Sequence, residues 1–258
     1  MTVSSQRFDT IASNYASSEV HKDSPSIRRV HDLLANEEIT SVCDVACGAG
    51  HFGLSFAAPG RRLVAVDPAR NMLACATNLA AAADVPLETV ESTAEQIPLA
   101  SGQFDLVMTR LAAHHFHSMP HALAEMARLA KPGGHVVAID LEGFTDPDID
   151  DINHRLEVLH DPTHVRSYTA HRWQAFFEDA GLQVRQLEPD GTERPQGVPV
   201  SRWCEIAGSG DAARQEIVGI LEALPEATLG ALRIRRAPQG EFLMPVRTVT
   251  ILARKSPV

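Results

Sequence analysis

The sequence predicts an α/β protein with a doubly wound, seven-stranded, mostly parallel sheet of the Rossmann-like type, an antiparallel last strand and a helical cap insertion. Three observations carry this prediction. Short apolar runs alternate with Ala- and Leu-rich runs, a glycine-rich turn follows the first apolar run, and a long insertion separates the last two strand-like runs. Because alternating strands and helices pair in parallel through right-handed crossovers, the first observation predicts the sheet.

The individual elements follow from the spacing of apolar residues. Strands are predicted at residues 41–46, 63–67, 87–91, 104–110 and 135–141. Helices are predicted at residues 71–83, 118–129 and 169–180, and Gly181 ends the third of them. The last two strands are predicted at residues 182–188 and 246–255. The segment Lys131-Pro132-Gly133-Gly134 predicts a sharp turn before the fifth strand.

Two segments stand outside this alternation. We expect a single domain made of N-terminal cap helices at residues 1–34, an α/β core at 35–188, a cap insertion at 189–245 and the last strand at 246–258. A connection as long as the insertion is usually functional, and helices at the carboxyl edge of such a sheet commonly cover a ligand crevice. The alternative is that the insertion is a solvent-exposed surface loop that covers no ligand. A chain of this length is expected to form one core, with or without a cap.

The composition excludes several classes of protein. Of the 258 residues, 44% are hydrophobic, which is too many for a disordered chain. The 33 acidic and 23 basic side chains give a formal charge of −10, which disfavours binding to nucleic acid. No apolar run reaches the ~18 residues of a membrane span, and the first residues show no apolar leader. We therefore expect a cytoplasmic protein, and the oligomeric state stays open, a homodimer included.

Neither the cysteines nor the histidines predict a metal site. The four cysteines form no CxxC pair, so we expect free thiols in a reducing compartment. Two histidine pairs have the four-residue spacing that can bind zinc, His117 with His121 and His160 with His164. The first pair falls on a helix outside the sheet and Pro162 interrupts the second, so no metal is predicted.

The glycine-rich turn after the first strand indicates a nucleoside-containing cofactor. Gly48, Gly50 and Gly53 satisfy the G-x-G-x-x-G pattern, and Asp67 ends the second strand, where a carboxylate can accept hydrogen bonds from both ribose hydroxyls. These features leave an NAD(P)-linked oxidoreductase open. However, Asp44 precedes the glycines, where its carboxylate suits a cationic amino group better than a pyrophosphate.

Further motifs carry a family resemblance. They are Phe8-Asp9-x-x-Ala12-x-x-Tyr15, Asp44-x-x-Cys47-Gly48-x-Gly50, Ala65-Val66-Asp67, Phe104-Asp105-Leu106-Val107, His114-His115-Phe116 and Lys131-Pro132-Gly133-Gly134. The combination resembles the class I S-adenosylmethionine-dependent methyltransferases, and more narrowly the branch related to the ubiquinone and menaquinone biosynthesis C-methyltransferases. The resemblance spans about residues 8–188.

The resemblance implies S-adenosylmethionine as cofactor and a set of residues that hold it. Asp44 and the backbone of Ala46, Gly48 and Gly50 would hold the methionine portion, and Asp67 would hold the ribose. Pro68 and Met72 would pack on the adenine, Thr93 and Ala94 would contact its amino group, and Tyr15 would close over the site. Two positions depart from the family: Thr93 stands where an Asp is usual, and Ala46 stands where a glycine is often found.

The chemistry requires a nucleophile in line with the activated methyl group and, for a phenol, enol or amine, a base that removes its proton. His115 is the first candidate for the base or substrate anchor and His114 the second, because both follow the fourth strand. Arg110 could position the substrate or the cofactor carboxylate, or form a salt bridge at the strand end. The segment Thr109-Arg110-Leu111-Ala112 lacks the Pro-Pro-aromatic motif of enzymes that methylate nucleic-acid bases.

The substrate is expected to be a small molecule, a metabolite or natural product, held under the cap. His160, His164, Arg166 and Trp203 are the candidates that line the mouth of its site. Arg166 suits a carboxylate or another anion, with a surface ion pair as the alternative. Besides the oxidoreductase, a protein that keeps the cofactor pocket without methylating, such as a cyclase or a regulatory protein, stays open.

Overall fold

The computed structural model describes residues 3–17 and 24–257, and the side chains of residues 5–12 and 24–257. Its centre is a seven-stranded sheet with the order β3-β2-β1-β4-β5-β10-β6. The strands are β1 (Ser41–Val45), β2 (Arg62–Asp67), β3 (Glu88–Glu91), β4 (Phe104–Arg110), β5 (Ala130–Leu141), β6 (Leu182–Thr192) and β10 (Arg247–Lys255). The first five pair in parallel, whereas β10 is antiparallel to both β5 and β6. The predicted fold class is confirmed.

Helices cover both faces of the sheet, which is why its central strands are apolar on both sides. The helices of this part of the chain are α1 (Val3–Ser17), α2 (Pro25–Leu33), α3 (His51–Ser55), α4 (Arg70–Ala82), α5 (Met119–Leu129), α6 (Pro147–His160) and α7 (Ala170–Asp179). On one face Val107 and Val136 pack against Leu123 of α5. On the other, Leu106 and Val137 pack in the cluster of α2 and α3.

Helix α6 is absent from the elements that the sequence predicted. Asp146 caps it by accepting from the backbone N–H groups of Asp148 and Ile149, and Pro147 occupies its first turn. Ile149, Ile152, Leu156 and Leu159 have the spacing of an apolar helix face, and all four pack in the apolar cluster of the insertion. Both the start signals and the helical periodicity were therefore present in the sequence.

The predicted turn at residues 131–134 lies within β5. Ala130 pairs with Phe104 and His135 with Leu106, so the intervening residues bulge from the strand. Gly133 has a φ of +77°, and a Cβ on Gly134 would lie 3.0 Å from the carbonyl oxygens of Lys131 and Phe104. The two glycines therefore allow the bulge to pack closely against the neighbouring strand.

The insertion folds into a unit with its own apolar cluster. It contains α8 (Val200–Ala207), α9 (Asp211–Ala223), α10 (Glu226–Ala231) and the short strands β7 (Val198–Pro199), β8 (Arg235–Arg236) and β9 (Phe242–Met244), which form a small sheet. Trp203, Ile217, Leu221 and Phe242 pack there together with Leu156 of α6. Within the described ranges, no helix has the length and apolar character needed to cross a membrane.

Candidate active site

A cavity opens at the carboxyl ends of β1, β2 and β4, where the strand order of the sheet reverses and ligands of such sheets bind. This first cavity has a volume of about 950 Å³ including its open mouth. Ten of the residues predicted from the sequence line it: Asp44, Ala46, Gly48, Asp67, Pro68, Met72, Thr93, Ala94, Arg110 and His115. The side chain of Tyr15 lies outside the described residues.

The glycine-rich turn shapes one wall of the first cavity. Ala46 and Gly48 have φ angles of 54° and 52°, in the left-handed region that glycine adopts most readily. The space beside Gly48 is open, since no atom lies within 4 Å of the position of its Cβ. Gly50 serves packing instead, because a Cβ there would lie 2.8 Å from the Cβ of Ala76. A ligand can thus approach the backbone at Gly48, while Gly50 lets α3 and α4 meet.

Asp67 ties this turn to the end of β2. Its carboxylate accepts hydrogen bonds from the backbone N–H groups of Gly48 and Ala69, both at 2.8 Å. Burial raises the pKa of Asp67 to about 6. Each carboxylate oxygen has a second lone pair, so the group can also accept from two ligand hydroxyls. This is the arrangement that the ribose assignment required.

Asp44 is a second buried carboxylate on the same cavity. Its Oδ2 accepts from the backbone N–H of Gly53 at 2.8 Å. Burial, together with the nearby charge of Asp67, raises the pKa of Asp44 to about 7. Two buried carboxylates that face one space favour a ligand that brings positive charge and hydroxyl donors. S-adenosylmethionine carries both, so the residues present fit this cofactor.

Arg110 lines the first cavity, but other protein groups already hold its guanidinium. Nη2 lies 2.9 Å from Glu193 Oε2 and 2.9 Å from the Ser24 hydroxyl, and Nε lies 3.1 Å from the Ser26 hydroxyl. The Arg110 and Glu193 side chains are 3% and 0% exposed. The salt-bridge alternative therefore describes Arg110. No sequence signal identified Glu193, because it lies 83 residues away in the insertion.

A second cavity lies beneath the insertion and has a volume of about 680 Å³. Leu111 and His115 line both cavities, so the two spaces meet there. His160 and Trp203 stack on its wall with ring centroids 3.8 Å apart and planes within 5°. His164 also lines it, and the Nε2 of this histidine is buried without a hydrogen-bond partner among the described atoms.

Arg166 does not join the other residues that were predicted to contact the substrate. It lies outside the lining of the second cavity and forms an ion pair with Asp150 of α6. The prediction that Arg166 borders this site is therefore corrected: Asp150, on a helix that the sequence analysis did not identify, holds the guanidinium. The surface ion pair, which was the alternative, is what the structure contains.

His114 is bound to Asp140 at the end of β5. His114 Nδ1 lies 2.5 Å from Asp140 Oδ1, and the His114 backbone N–H donates to Oδ2 at 3.0 Å. Burial is the largest single influence and opposes charge on both groups, but the attraction and the hydrogen bond between them, together with the neighbouring groups, outweigh it. The pKa of His114 is therefore raised and that of Asp140 is lowered. No sequence signal placed Asp140 in the site, because only the fold brings it to His114.

His115 has a different environment from its neighbour. Its Nδ1 lies 3.0 Å from the carbonyl oxygen of Thr163 and must donate to it, so Nε2 carries the lone pair of the neutral ring. Burial, reinforced by repulsion from His114, lowers the pKa of His115 to about 3. The Phe8 ring packs edge-on against this imidazole with a centroid distance of 5.0 Å. His115 is therefore a hydrogen-bond acceptor and a weak base.

Over the part of the chain that the structure describes, no three His, Cys, Asp or Glu side chains group as metal ligands.

The sheet with its antiparallel β10, the open glycine turn and the two buried carboxylates define a class I S-adenosylmethionine-dependent methyltransferase. Comparison with known proteins gives the same class. A family model described as "Methyltransferase domain" matches residues 43–138. The uncharacterized methyltransferase YcgJ of Bacillus subtilis is 32% identical over 188 residues, which cover 72% of this chain and 73% of that protein. The chain belongs to this methyltransferase family.

Three further comparisons describe proteins and structures that are similar to this chain. The crystal structure of YcgJ has a TM-score of 0.79 at 25% identity and covers 90% of this chain and 98% of that one. The demethylmenaquinone methyltransferase of Thermus thermophilus is 32% identical over 115 residues, 44% of this chain and 52% of that protein. The structure of the [4+2]-cyclase SpnF has a TM-score of 0.69 at 15% identity, over 98% and 95% of the two chains, which shows a shared fold alone.

Proposed function

We propose that this protein transfers a methyl group from S-adenosylmethionine, bound in the first cavity, to a small-molecule acceptor bound in the second. The observation that carries the proposal is that Leu111 and His115 line both cavities. Methyl transfer requires the acceptor atom at about 3–3.5 Å from the methyl carbon, so the two ligands must meet at one boundary. The cofactor, when bound, supplies a methyl group that is already activated toward nucleophiles.

In this proposal different residues of the first cavity bind different parts of the cofactor. The Asp44 carboxylate receives the amino group, and Asp67 receives the ribose hydroxyls in addition to the two backbone N–H groups that it already binds. Pro68 and Met72 form the apolar surface for the adenine. Thr93 and Ala94 line the same end and supply the contacts that an Asp makes elsewhere in the family.

The walls of the second cavity argue against an anionic acceptor. Leu111, Leu141, Val198, Ile206 and Val246 supply apolar surface. Among the residues that line it, none is a Lys or an Arg. An anionic acceptor would therefore lose its hydration without gaining a cationic partner, which is costly in a buried site. The negative charge of the whole chain argues in the same way against a nucleic acid as acceptor.

Calorimetric titration with S-adenosylhomocysteine and with NADH tests the cofactor half of the proposal. Binding of the first without the second is expected. Asp67→Asn should weaken binding by about 10- to 100-fold, because hydrogen bonds to a charged group are replaced by weaker ones. Asp179→Asn, which changes an exposed carboxyl of α7, is the matched control. Binding of NADH alone, or unchanged affinity in Asp67→Asn, would contradict the proposal.

Mass spectrometry tests the acceptor half. Purified protein with S-adenosylmethionine is incubated with a library of uncharged metabolites, and products that gain one methyl group are sought. Conversion of an uncharged small molecule supports the proposal. Cofactor binding with rearranged but unmethylated products would instead indicate the cyclase alternative.

A further inference from the structure

We infer that the acceptor carries an ionisable hydroxyl group on a flat apolar ring, and that His114, positioned by Asp140, takes the proton of that hydroxyl. The inference rests on the proposed function and adds to it the class of acceptor and a positioning residue. It begins from the contact of His114 Nδ1 with Asp140 Oδ1 at 2.5 Å, on the wall of the second cavity.

Asp140 fixes both the orientation and the tautomer of His114. A carboxylate accepts, so Nδ1 carries a hydrogen and Nε2 is the nitrogen left to exchange a proton with a ligand. Asp140 is itself held in place by the backbone N–H groups of His114 and Leu141, at 3.0 Å and 2.6 Å. The pair is therefore a rigid unit, since two different strand-end segments determine its geometry.

The surrounding charges make His114 a stronger base than His115 or His164. The ionisable groups around it are Asp140, His115, Glu157, Asp161 and His164. The carboxylates raise the pKa of His114 against the effect of burial. Burial and the neighbouring His114 instead lower the pKa of His115 to about 3 and that of His164 to about 4. Of these three histidines, His114 is therefore the one that most readily accepts a proton from a ligand.

The remaining polar atoms of the cavity point to a ligand with hydroxyl hydrogens. His115 Nε2 carries a lone pair and lies 4.0 Å from Asp161 Oδ2, so two acceptors face each other across a gap that a donor can fill. The unpartnered Nε2 of His164 is a third polar atom on this wall. Because Asp161 already pairs with Arg7 Nε at 3.1 Å, a neutral hydroxyl suits this gap without adding a second cation.

The apolar part of the acceptor follows from the shape of the wall. His160 and Trp203 lie parallel at 3.8 Å, and Leu141 and Val246 line the same space. Flat aromatic surfaces favour a planar ring that stacks or packs against them. A phenol or an enol in a ring combines this shape with a hydroxyl acidic enough to lose its proton to an imidazole.

The O–H bond of the acceptor breaks, its proton passes to His114 Nε2 and its electron pair stays on the oxygen. That pair forms the oxygen–carbon bond to the methyl group that the cofactor supplies, and the thioether leaves with the electrons of its former bond to carbon. His114 returns its proton to water when the methyl ether departs.

Histidine-selective ¹⁵N NMR of the full chain tests the positioning step without any acceptor. His114 is expected in the Nδ1–H form when neutral and to titrate above the ordinary 6.5. Asp140→Asn should lower the pKa of His114 and Asp148→Asn, an exposed carboxyl of α6, should not change it. An unchanged titration of His114 in Asp140→Asn would overturn the role of Asp140.

Binding of 4-nitrophenol tests the acceptor class, because the colour of the probe reports its ionisation. The titration uses protein saturated with sinefungin, which carries an ammonium group where the cofactor carries its sulfonium. Bound probe should ionise at lower pH than free probe, and both His114→Gln and Asp140→Asn should lose this shift. His121→Gln, on the exposed face of α5, should retain it. Probe that binds only as the neutral phenol, or does not bind, would overturn the inference.

Calorimetry with S-adenosylhomocysteine separates this inference from the proposed function. If the cofactor product does not bind, the proposed function itself fails. If it binds to the wild-type protein and to both variants while the probe results are negative, only the inference about the acceptor and His114 fails.

Discussion

A Cβ on Gly53 would lie 2.9 Å from Asp44 Oδ2, so the carboxylate occupies the space in which a side chain would stand. The third glycine of the G-x-G-x-x-G pattern, Gly53, therefore leaves room for the Asp44 carboxylate in this protein. Its backbone N–H donates to the same oxygen at 2.8 Å, which fixes the carboxylate toward the cavity.

Gly53→Ala should consequently damage cofactor binding as well as stability. The added methyl group must displace Asp44, and we expect a loss of about 1–3 kcal/mol in the free energy of unfolding. Affinity for S-adenosylhomocysteine should fall about tenfold or more, as the Asp44 hydrogen bond is disturbed. Chemical denaturation and calorimetry measure the two effects. Gly219→Ala, in α9 with no atom near its Cβ, is the control and should leave both intact.

Cofactor affinity should depend on pH through Asp44. Its pKa of about 7 means that the carboxyl is protonated below that pH and cannot pair with an amino group. The dissociation constant of S-adenosylhomocysteine should rise as the pH falls through 7, approaching about tenfold per unit. Asp44→Asn should bind weakly at every pH and show no such dependence between pH 6.5 and 8. A wild-type profile that is flat in this range would contradict the assignment.

Asp44 should also make the stability of the fold depend on pH, but in the opposite direction: high pH favours cofactor binding and lowers the free energy of unfolding. Because the pKa of Asp44 is raised on folding, the folded state holds a proton that the unfolded state has lost between pH 3.8 and about 7. The free energy of unfolding therefore decreases as the pH rises through this range. Asp44→Asn should be more stable than wild type at pH 8, by roughly 1–4 kcal/mol. Urea denaturation at pH 5 and pH 8 measures the difference, and equal stabilities at pH 8 would refute it.

Glu193→Gln should destabilise the protein strongly. It leaves the Arg110 guanidinium charged and buried without its carboxylate, which costs about 3–5 kcal/mol. The matched control is Glu216→Gln, which breaks an exposed pair with Arg155 and should cost at most about 1 kcal/mol. Denaturation curves for the two variants make the comparison. Similar losses in the free energy of unfolding of both variants would show that burial does not increase the cost of breaking the Arg110–Glu193 ion pair.

Trp203→Phe should weaken binding in the second cavity and leave binding in the first cavity unchanged. The smaller ring keeps most of the apolar packing in the insertion but loses part of the stack on His160. We expect about tenfold weaker binding of an aromatic acceptor probe, with unchanged affinity for S-adenosylhomocysteine. Trp173→Phe, in the sheet core and outside both cavities, controls for general loss of packing. Equal probe affinity in wild type and Trp203→Phe would exclude Trp203 from the acceptor site.

The predicted residues that lie together at the first cavity could be located from local geometry. Gly48 and Asp67 lie at the ends of consecutive parallel strands, and strands of that kind place their carboxyl ends at one edge. The glycines and the acidic residue could therefore be located from a short window of sequence. The same holds for His114 and His115, which follow β4 directly.

The parts that the sequence did not identify depend on contacts between distant segments. Glu193 approaches Arg110 from 83 residues away, and Asp140 approaches His114 across 26 residues. No periodicity encodes such a pair. Strands of two residues, such as β7 and β8, likewise leave no detectable pattern. Arg166 was predicted to line the substrate site only because its side chain suits an anion. Its ion pair with Asp150 could not be predicted, because α6 was not among the predicted helices.

The ion pair between Arg110 and Glu193 also has a dynamic consequence. The same guanidinium binds Ser24 and Ser26 at the start of α2, so three remote segments share one buried cation. If the segment that carries Glu193 moves away, the cation loses its carboxylate, and if α2 moves away, the cation loses both hydroxyls. Both losses are costly in a dry interior. Hydrogen exchange should therefore record the release of these segments as one cooperative opening and not as two independent ones.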